Sequence, residues 1–177
     1  MSIYKESRKI RFPIIWFSGG DIRKLLKYLE KANQRIEWIA IDILMGMPFS
    51  NFKWLIDNDE IHVIKDNEFT GKFLYNEEII SGDKLFDKAV SNTYYMIFVT
   101  LRAFLNESEV QRVSTYREFL ESSCEIAFGV YDCSEVIFWS KEEQLVSKMY
   151  NYCLSKGYNK VKYISEDDLI KGIYHIE

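Results

Sequence analysis

Two short acidic segments hold the residues whose types and spacing come closest to a chemical site. The first is residues 57–60, Asp-Asn-Asp-Glu, whose carboxylates are oxygen ligands of the kind that a divalent cation takes. A calcium loop needs glycine at its sixth position, and here that position is His62. The apolar runs 52–56 and 61–64 flank the segment, so we predict a hairpin with a solvated turn and no metal site.

The second acidic segment is residues 132–135, Asp-Cys-Ser-Glu. The thiol of Cys133 would be a nucleophile only as a thiolate, and no Lys, Arg or His adjoins it in the sequence to favour that form. Asp and Ser are also common turn residues. We therefore predict that the segment is the turn of a hairpin over residues 125–139, with Tyr131 paired to Val136, rather than a catalytic site.

Neither the glycines nor the histidines form a catalytic motif. Residues 18–21, Ser-Gly-Gly-Asp, lie between a predicted strand and a predicted helix, where helix N–H groups could hold a phosphate. No Lys follows at the position that a P-loop uses, and Asp21 places a negative charge where the phosphate would sit. His62 and His175 match no metal-binding or acid–base pattern. The sequence therefore assigns no catalytic residue, no cofactor and no metal, and it favours a protein that is not an enzyme.

Composition and charge narrow the class of protein further. The chain has 177 residues, with 23 Lys and Arg against 27 Asp and Glu, and a formal net charge of −4. This length suits one domain that can bury a core. An acidic balance with scattered Lys and Arg argues against nucleic acid as a partner. Basic residues cluster only near the N-terminus, so we predict a flexible arm at residues 1–8 and a single domain at residues 9–177.

The apolar runs and the cysteines indicate the cellular compartment. No apolar run approaches the roughly 20 residues that a membrane span requires, and no signal peptide is recognisable. The three cysteines, Cys124, Cys133 and Cys153, are odd in number and lack the spacing of a zinc site, so free thiols are predicted. These observations predict a cytoplasmic protein with no membrane partner.

Periodic patterns of apolar residues indicate the elements that must position these groups. In the strand predicted at residues 9–18, Pro13 cannot donate to a sheet ladder, which favours an edge position or a bulge. The strand predicted at residues 93–105 is largely apolar on both faces and is expected to be central. Further strands or hairpins are predicted at residues 36–47, 52–64, 69–80, 125–139 and 161–164, and helices at residues 21–33, 83–90 and 115–121, with two more opened by Ser140 and Ser165.

The pattern of caps and hairpins predicts the fold class. Thr115 with Glu118, and Ser140 with Glu143, match the capping box that begins a helix. Because hairpins dominate the order of elements, we predict an α+β fold, with a mixed, mostly antiparallel sheet and about three to four helices packed on it.

The function that the composition favours is protein binding. Twelve Tyr, twelve Phe and four Trp make up 16% of the chain, and aromatic residues are enriched at recognition surfaces. With the acidic charge, they favour a non-catalytic protein-binding domain of the inhibitor, immunity or regulatory type, whose partner is another protein with a basic surface. The alternatives are a small-molecule or nucleotide-binding protein, an enzyme included, and a purely structural or self-assembling module. The candidate partner-binding residues are Asp57, Asp59, Glu60, Asp132 and Glu135.

Short motifs along the chain resemble those of one bacterial family. They are Phe12-Pro13, Trp54-Leu55-Ile56, Asn58-Asp59-Glu60-Ile61, Tyr94-Tyr95, Ile97-Phe98, Arg102-Ala103-Phe104, Thr115-Tyr116, Phe119-Leu120, Cys124-Glu125 and Asp132-Cys133-Ser134. With these motifs, the chain resembles an uncharacterised family of short cytoplasmic proteins from bacilli and clostridia, known as a domain of unknown function, over about residues 10–165. The resemblance implies a bacterial cytoplasmic setting and transfers no activity.

Overall fold

The computed structural model describes residues 12–16, 49–65, 68–72, 79–91, 93–131, 135–155 and 160–176. Several predictions lie outside these residues. They are the arm at residues 1–8, the turn at residues 18–21, the helix at residues 21–33, the strand at residues 36–47 and most of the acidic turn at residues 132–135.

One antiparallel sheet is the centre of the described structure. Its strands are β1 (Phe12–Trp16), β2 (Lys53–Lys65), β3 (Glu68–Lys72), β4 (Ile79–Ser81), β5 (Thr93–Phe104), β6 (Ile126–Tyr131), β7 (Glu135–Ser140) and β8 (Lys162–Ile164). Within the described ranges seven of these strands follow the order β3-β2-β5-β6-β7-β1-β8, and the eighth, β4, pairs with β2. All of these pairings are antiparallel. The prediction that the strand at residues 93–105 is central is confirmed, because β5 lies between β2 and β6.

Helices are packed on this sheet, which confirms the predicted α+β class. Those in the described part of the chain are α1 (Gly82–Ser91), α2 (Tyr116–Glu121), α3 (Glu143–Ser155) and α4 (Glu166–Ile170), with a 3-10 turn at Glu107–Glu109. In α3 the buried residues are Leu145, Val146, Met149 and Cys153, a spacing that places them on one side of the helix.

The first face of the sheet carries Arg102. Directly opposed residues of an antiparallel ladder lie on the same face, and Arg102 of β5 is opposite Ala127 of β6, which is opposite Trp139 of β7. Helix α2 covers this face, because the rings of Tyr116 and Phe119 each lie 5.7 Å from the Trp139 ring, measured between centroids.

The second face of the sheet is covered by α1 and α3. Trp54 of β2 lies on it, and Phe49 is in ring contact with both Trp54 and Phe86 of α1, with centroids 5.5 Å apart in each case. Near the opposite edge of the sheet, on the same second face, the ring of Tyr150 of α3 stacks on that of Tyr163 of β8, with centroids 4.2 Å apart. Aromatic rings are part of the core on both faces, because Trp139 on the first face and Trp54 on the second are each 0% exposed. Part of the aromatic surplus seen in the sequence is therefore core.

The hairpin predicted at residues 52–64 is wrong. The segment is a single strand, β2, and the polar residues 57–60 are part of it. The ladder between β2 and β5 is irregular between Asp57 and Ile61, where the strand bulges instead of turning. The physical reason is that β5 is long enough to pair with both halves of β2, so the polar segment is held within the sheet.

The predicted edge position of Pro13 is also wrong. Strand β1 lies between β7 and β8. Pro13 is opposite Tyr163 of β8, whereas the ladder to β7 includes Ile14, Ile15 and Trp16 but not Pro13. An interior strand can hold this proline because it stands at the end of one of the two ladders.

The hairpin of β6 and β7 is confirmed, with a register that differs by one residue from the prediction. Tyr131 is opposite Glu135, and Val130 is opposite Val136. Three residues, 132–134, therefore separate the paired positions, one fewer than predicted, and every pair along the hairpin is shifted by one position.

Two of the three predicted helix caps are confirmed, and the third is wrong. The Thr115 side chain accepts from the Glu118 N–H and the Glu118 side chain accepts from the Thr115 N–H, which is a complete capping box. Ser165 caps α4 by accepting from the Asp168 N–H at 3.2 Å. The box predicted at Ser140 does not form, because Ser140 ends β7 and its Oγ accepts instead from the Glu142 N–H at 3.0 Å.

Candidate functional site

One row of residues crosses the sheet at Phe98. Glu60 of β2 is opposite Phe98 of β5. On the other side of β5, Val99 is opposite Val130 of β6. Continuing this antiparallel ladder by one residue places Tyr131 opposite Phe98, and Tyr131 is in turn opposite Glu135 of β7. We call Glu60, Phe98, Tyr131 and Glu135 the Phe98 row. Because neighbouring strands are about 4.8 Å apart, the row spans roughly 15 Å between β2 and β7.

Phe98 differs in exposure from its neighbours on the same face of β5. Strand alternation places Phe98, Thr100 and Arg102 on the first face. Phe98 is 39% exposed, whereas Thr100 and Arg102 are each 1% exposed. The first face is therefore closed at Arg102, under α2 and the segments next to it, and open at Phe98.

The sheet brings two of the five predicted partner-binding residues into this row. Glu60 and Glu135 are far apart in the sequence but have register positions at its two ends. Asp59 lies in the irregular part of β2 and has no partner in the β5 ladder. Asp132 is outside the described residues. That these acids contact a partner stays a prediction.

Asp57, the fifth predicted residue, is bound within the protein. Its side chain is 14% exposed, its Oδ2 accepts from Arg102 Nη1 at 2.9 Å, and its Oδ1 lies 3.2 Å from Arg112 Nη2. Since both carboxylate oxygens face guanidinium groups, Asp57 contributes little free negative charge to the surface.

Arg102 links four segments of the chain through one buried guanidinium. Besides its bond to Asp57, its Nε donates to the Val113 carbonyl at 2.6 Å and its Nη2 donates to the Ile176 carbonyl at 3.4 Å. Desolvation by burial lowers the pKa of Arg102, and the charge of Asp57 opposes that effect. An arginine keeps its proton in proteins, so this cluster orders the structure and offers no acid or base for a reaction.

The buried thiols do not supply a nucleophile. Burial raises the pKa of Cys124 to about 12 and that of Cys153 to about 12, and both are free cysteines. At neutral pH these thiols are protonated, and the thiolate is the reactive form. Cys133 lies outside the described residues. Among the residues that the structure describes, no group of three or more His, Cys, Asp or Glu could hold a metal ion.

Sequence reasoning missed both Arg102 and Phe98 as individual residues of interest. Arg102 did carry a signal, because a lone charge within the apolar run 101–104 of a central strand predicts a buried, paired group. Phe98 carried none, because its exposure depends on which segments cover each end of the face.

In the described part of the chain no helix is long and apolar enough to cross a membrane.

Comparisons with known proteins give a family without an assigned activity. A family model described as "Protein of unknown function (DUF2691)" matches residues 29–174. The chain is 28% identical over 126 residues to the "Uncharacterized protein YncE" of Bacillus subtilis (strain 168), which covers 71% of this chain and 82% of the relative. No solved structure matches the chain.

Proposed function

The chain belongs to the DUF2691 family of proteins of unknown function, and we propose that it is a non-catalytic protein-binding domain whose contact surface is the Phe98 row. The observation that carries the proposal is the 39% exposure of Phe98 on an interior strand. Aromatic side chains are enriched at protein interfaces and are frequent among the residues that dominate binding energy.

The register of the row supports a basic partner. Acidic residues occupy both ends of the row, at Glu60 and Glu135, and the chain has a net charge of −4. An acidic surface around an apolar centre attracts a protein that presents Lys or Arg around an apolar side chain, and this attraction raises the association rate. Since the Debye length is about 8 Å at physiological salt, added salt weakens the attraction.

Affinity capture with matched variants tests the proposal. The tagged full chain is used as bait in a bacterial lysate, next to the variants Phe98→Ala and Glu60→Lys/Glu135→Lys. We expect one stoichiometric partner with the wild-type chain, loss of that partner with either variant, and weaker capture as salt is raised. The partner is then purified, and its dissociation constant is measured for each variant.

Leu154→Ala is the control variant. Leu154 is 48% exposed on α3, which packs on the second face, so this change removes an exposed apolar side chain of comparable accessibility away from the row. It is expected to leave capture unchanged. The proposal is wrong if Phe98→Ala and Leu154→Ala capture the same proteins in the same amounts, or if no variant captures a stoichiometric partner.

The alternative function, small-molecule or nucleotide binding, gains no support from a particular geometry. The two turns that motivated it, at residues 18–21 and 132–134, lie outside the described residues. The proposal includes a cytoplasmic setting, which the free, buried thiols of Cys124 and Cys153 support because disulfides are rare in that compartment.

A further inference from the structure

A short segment after α4 crosses the first face of the sheet. This segment, residues 171–176, is called the strap. Its second residue, Gly172, has a φ of 71° and ends the helix in a Schellman motif: the Gly172 N–H donates to the Leu169 carbonyl and the Ile173 N–H to the Asp168 carbonyl, each at 3.1 Å. Tyr174 then accepts a hydrogen bond from Lys162 of β8 at 3.2 Å.

The strap ends in a slot on the closed part of the face. Ile176 is 0% exposed, its N–H donates to the Ser114 carbonyl at 2.9 Å, and its carbonyl accepts from Arg102 Nη2 at 3.4 Å. The slot therefore holds the backbone donor, the backbone acceptor and the aliphatic side chain of one residue. These are the three features by which proteins bind extended peptides.

The wall of the slot is fixed independently of the strap. Arg102 also donates to the Val113 carbonyl, and Glu118 accepts from the Ser114 N–H at 2.8 Å. The slot is thus built from a buried guanidinium and a segment held by the capping box of α2. These bonds do not involve residues 171–176, so they do not depend on the strap.

Two residues in the middle of the strap are more exposed than Ile176. Ile173 is 58% exposed and His175 is exposed. The bond from Tyr131 Oη to the His175 carbonyl is long, at 3.4 Å. A Cβ added to Gly172 would meet no atom within 4 Å, so no other segment of the chain packs against this residue. The strap is anchored by the buried Ile176 and, less deeply, by Tyr174, which packs against the core and accepts from Lys162.

We propose that the Ile176 slot is a peptide-binding site, which the strap occupies in its own chain and which accepts, when the strap is displaced, an extended segment bearing an aliphatic side chain. A strap in the same chain acts as a competitor at an effective concentration in the millimolar range. A free peptide of the same sequence therefore binds weakly to the wild-type chain and more tightly to a chain whose strap cannot fill the slot.

A peptide-binding measurement tests this inference. The probe is a fluorescent, amidated peptide with the sequence of residues 171–176, Lys-Gly-Ile-Tyr-His-Ile, and binding is followed by anisotropy. The full-length Ile176→Asp chain is expected to bind this peptide at least about tenfold more tightly than the wild-type chain. A peptide whose final Ile is replaced by Asp is expected to bind neither chain.

Ile173→Asp is the matched control, because it places the same substitution on an exposed residue of the same strap. It is expected to bind the peptide as weakly as the wild-type chain. Equal binding by all three chains, or no binding by a folded Ile176→Asp chain, overturns the inference. Phe98→Ala is expected to leave peptide binding unchanged, so this test and the test of the Phe98 row can fail separately.

Hydrogen exchange on the wild-type chain decides the matter if Ile176→Asp does not fold. A separable strap predicts that the Ile176 amide exchanges through a local opening, at least about tenfold faster than the amide of Leu101 in β5. If the Ile176 amide exchanges only through global unfolding, at the rate of the Leu101 amide, the strap is part of the core and the inference is overturned.

Discussion

Arg102 and Phe98 lie four residues apart on the same face of β5, and their burial is the reverse of what their side chains favour. The charged residue is 1% exposed and the aromatic residue is 39% exposed. Arg102 is explained by its partners, because Asp57, Val113 and Ile176 all accept hydrogen bonds from its guanidinium. A buried charge needs such partners to offset the loss of hydration.

The difference between the two ends of the face is one of internal pairing. Among the described residues, the hydrogen-bond partners of Arg102 lie within the chain, so its guanidinium holds the closed end together. Phe98 leaves part of an aromatic ring in water, which is the feature that the proposed contact surface uses. Variants at each end test whether the closed end, around Arg102, and the open end, around Phe98, differ as their geometry indicates.

The largest expected effect is at the closed end. Arg102→Ala is expected to lower the free energy of unfolding by about 3–5 kcal/mol, because it leaves buried carbonyl groups without a donor and removes one partner of a buried ion pair. Arg112→Ala, which removes the other arginine next to Asp57, is expected to cost about 0–1 kcal/mol, since the Arg112 side chain is 73% exposed. Urea denaturation measures both, and equal losses would contradict the central role of Arg102.

Two phenylalanines on β5 allow the stability of the two ends to be compared directly. Phe104 is 0% exposed and shares the first face with Phe98. Phe104→Leu is expected to cost roughly 1–2 kcal/mol because it leaves a cavity, and Phe98→Leu less than half of that. Thermal and urea unfolding give the two values. A loss at Phe98 as large as that at Phe104 would mean that the open end is covered in solution.

The capping box supports the closed end, and removing it is expected to lower the free energy of unfolding by less than Arg102→Ala or Phe104→Leu does. Thr115→Ala removes the acceptor for the Glu118 N–H and is expected to cost about 1 kcal/mol. Thr115→Ser keeps the hydroxyl oxygen and is expected to stay close to wild type. If both variants are equally destabilised, the methyl group of Thr115 matters more than its hydrogen bond.

The smallest expected effect is a pH dependence at Glu118. Hydrogen bonds from the backbone N–H groups of Ser114 and Thr115 lower the pKa of Glu118 below its ordinary value of 4.5. A lowered folded-state pKa stabilises the fold above the unfolded-state value, and this stabilisation is lost as pH falls through the folded-state pKa. The stability difference between wild type and Glu118→Gln is therefore expected to shrink below pH 4.5, and a difference that grows on acidification would contradict this sign.

Local features of the fold could be predicted from the sequence. The capping box at Thr115, the cap at Ser165 and the hairpin of β6 and β7 depend on residues close together in the chain. The hairpin predicted at residues 52–64 failed because its outcome depends on β5, a distant strand that holds the polar segment in a ladder. Propensity and pattern do not contain such long-range pairing, and tertiary context overrides them.

The candidate site was only partly predictable for the same reason. The acids Glu60 and Glu135 could be named from their sequence segments, but their alignment on one row depends on the order of strands in the sheet. The buried role of Asp57 depends on Arg102 and Arg112, which are remote in sequence. The sequence shows directly which residue type stands at each position, whereas the exposure and the pairing of a side chain depend on the whole fold.

The place of β1 in the sheet has a consequence for how the protein is made. Strand β1 is synthesised early, yet it pairs with β7 and β8, which lie about 120 and about 150 residues further along the chain. At ordinary rates of translation the ribosome needs on the order of ten seconds to add that length. Throughout this interval β1 has no strand to pair with. Strands β7 and β8 become part of one sheet only when β1 pairs with both of them. A nascent chain that stalls before residue 160 therefore cannot complete the sheet.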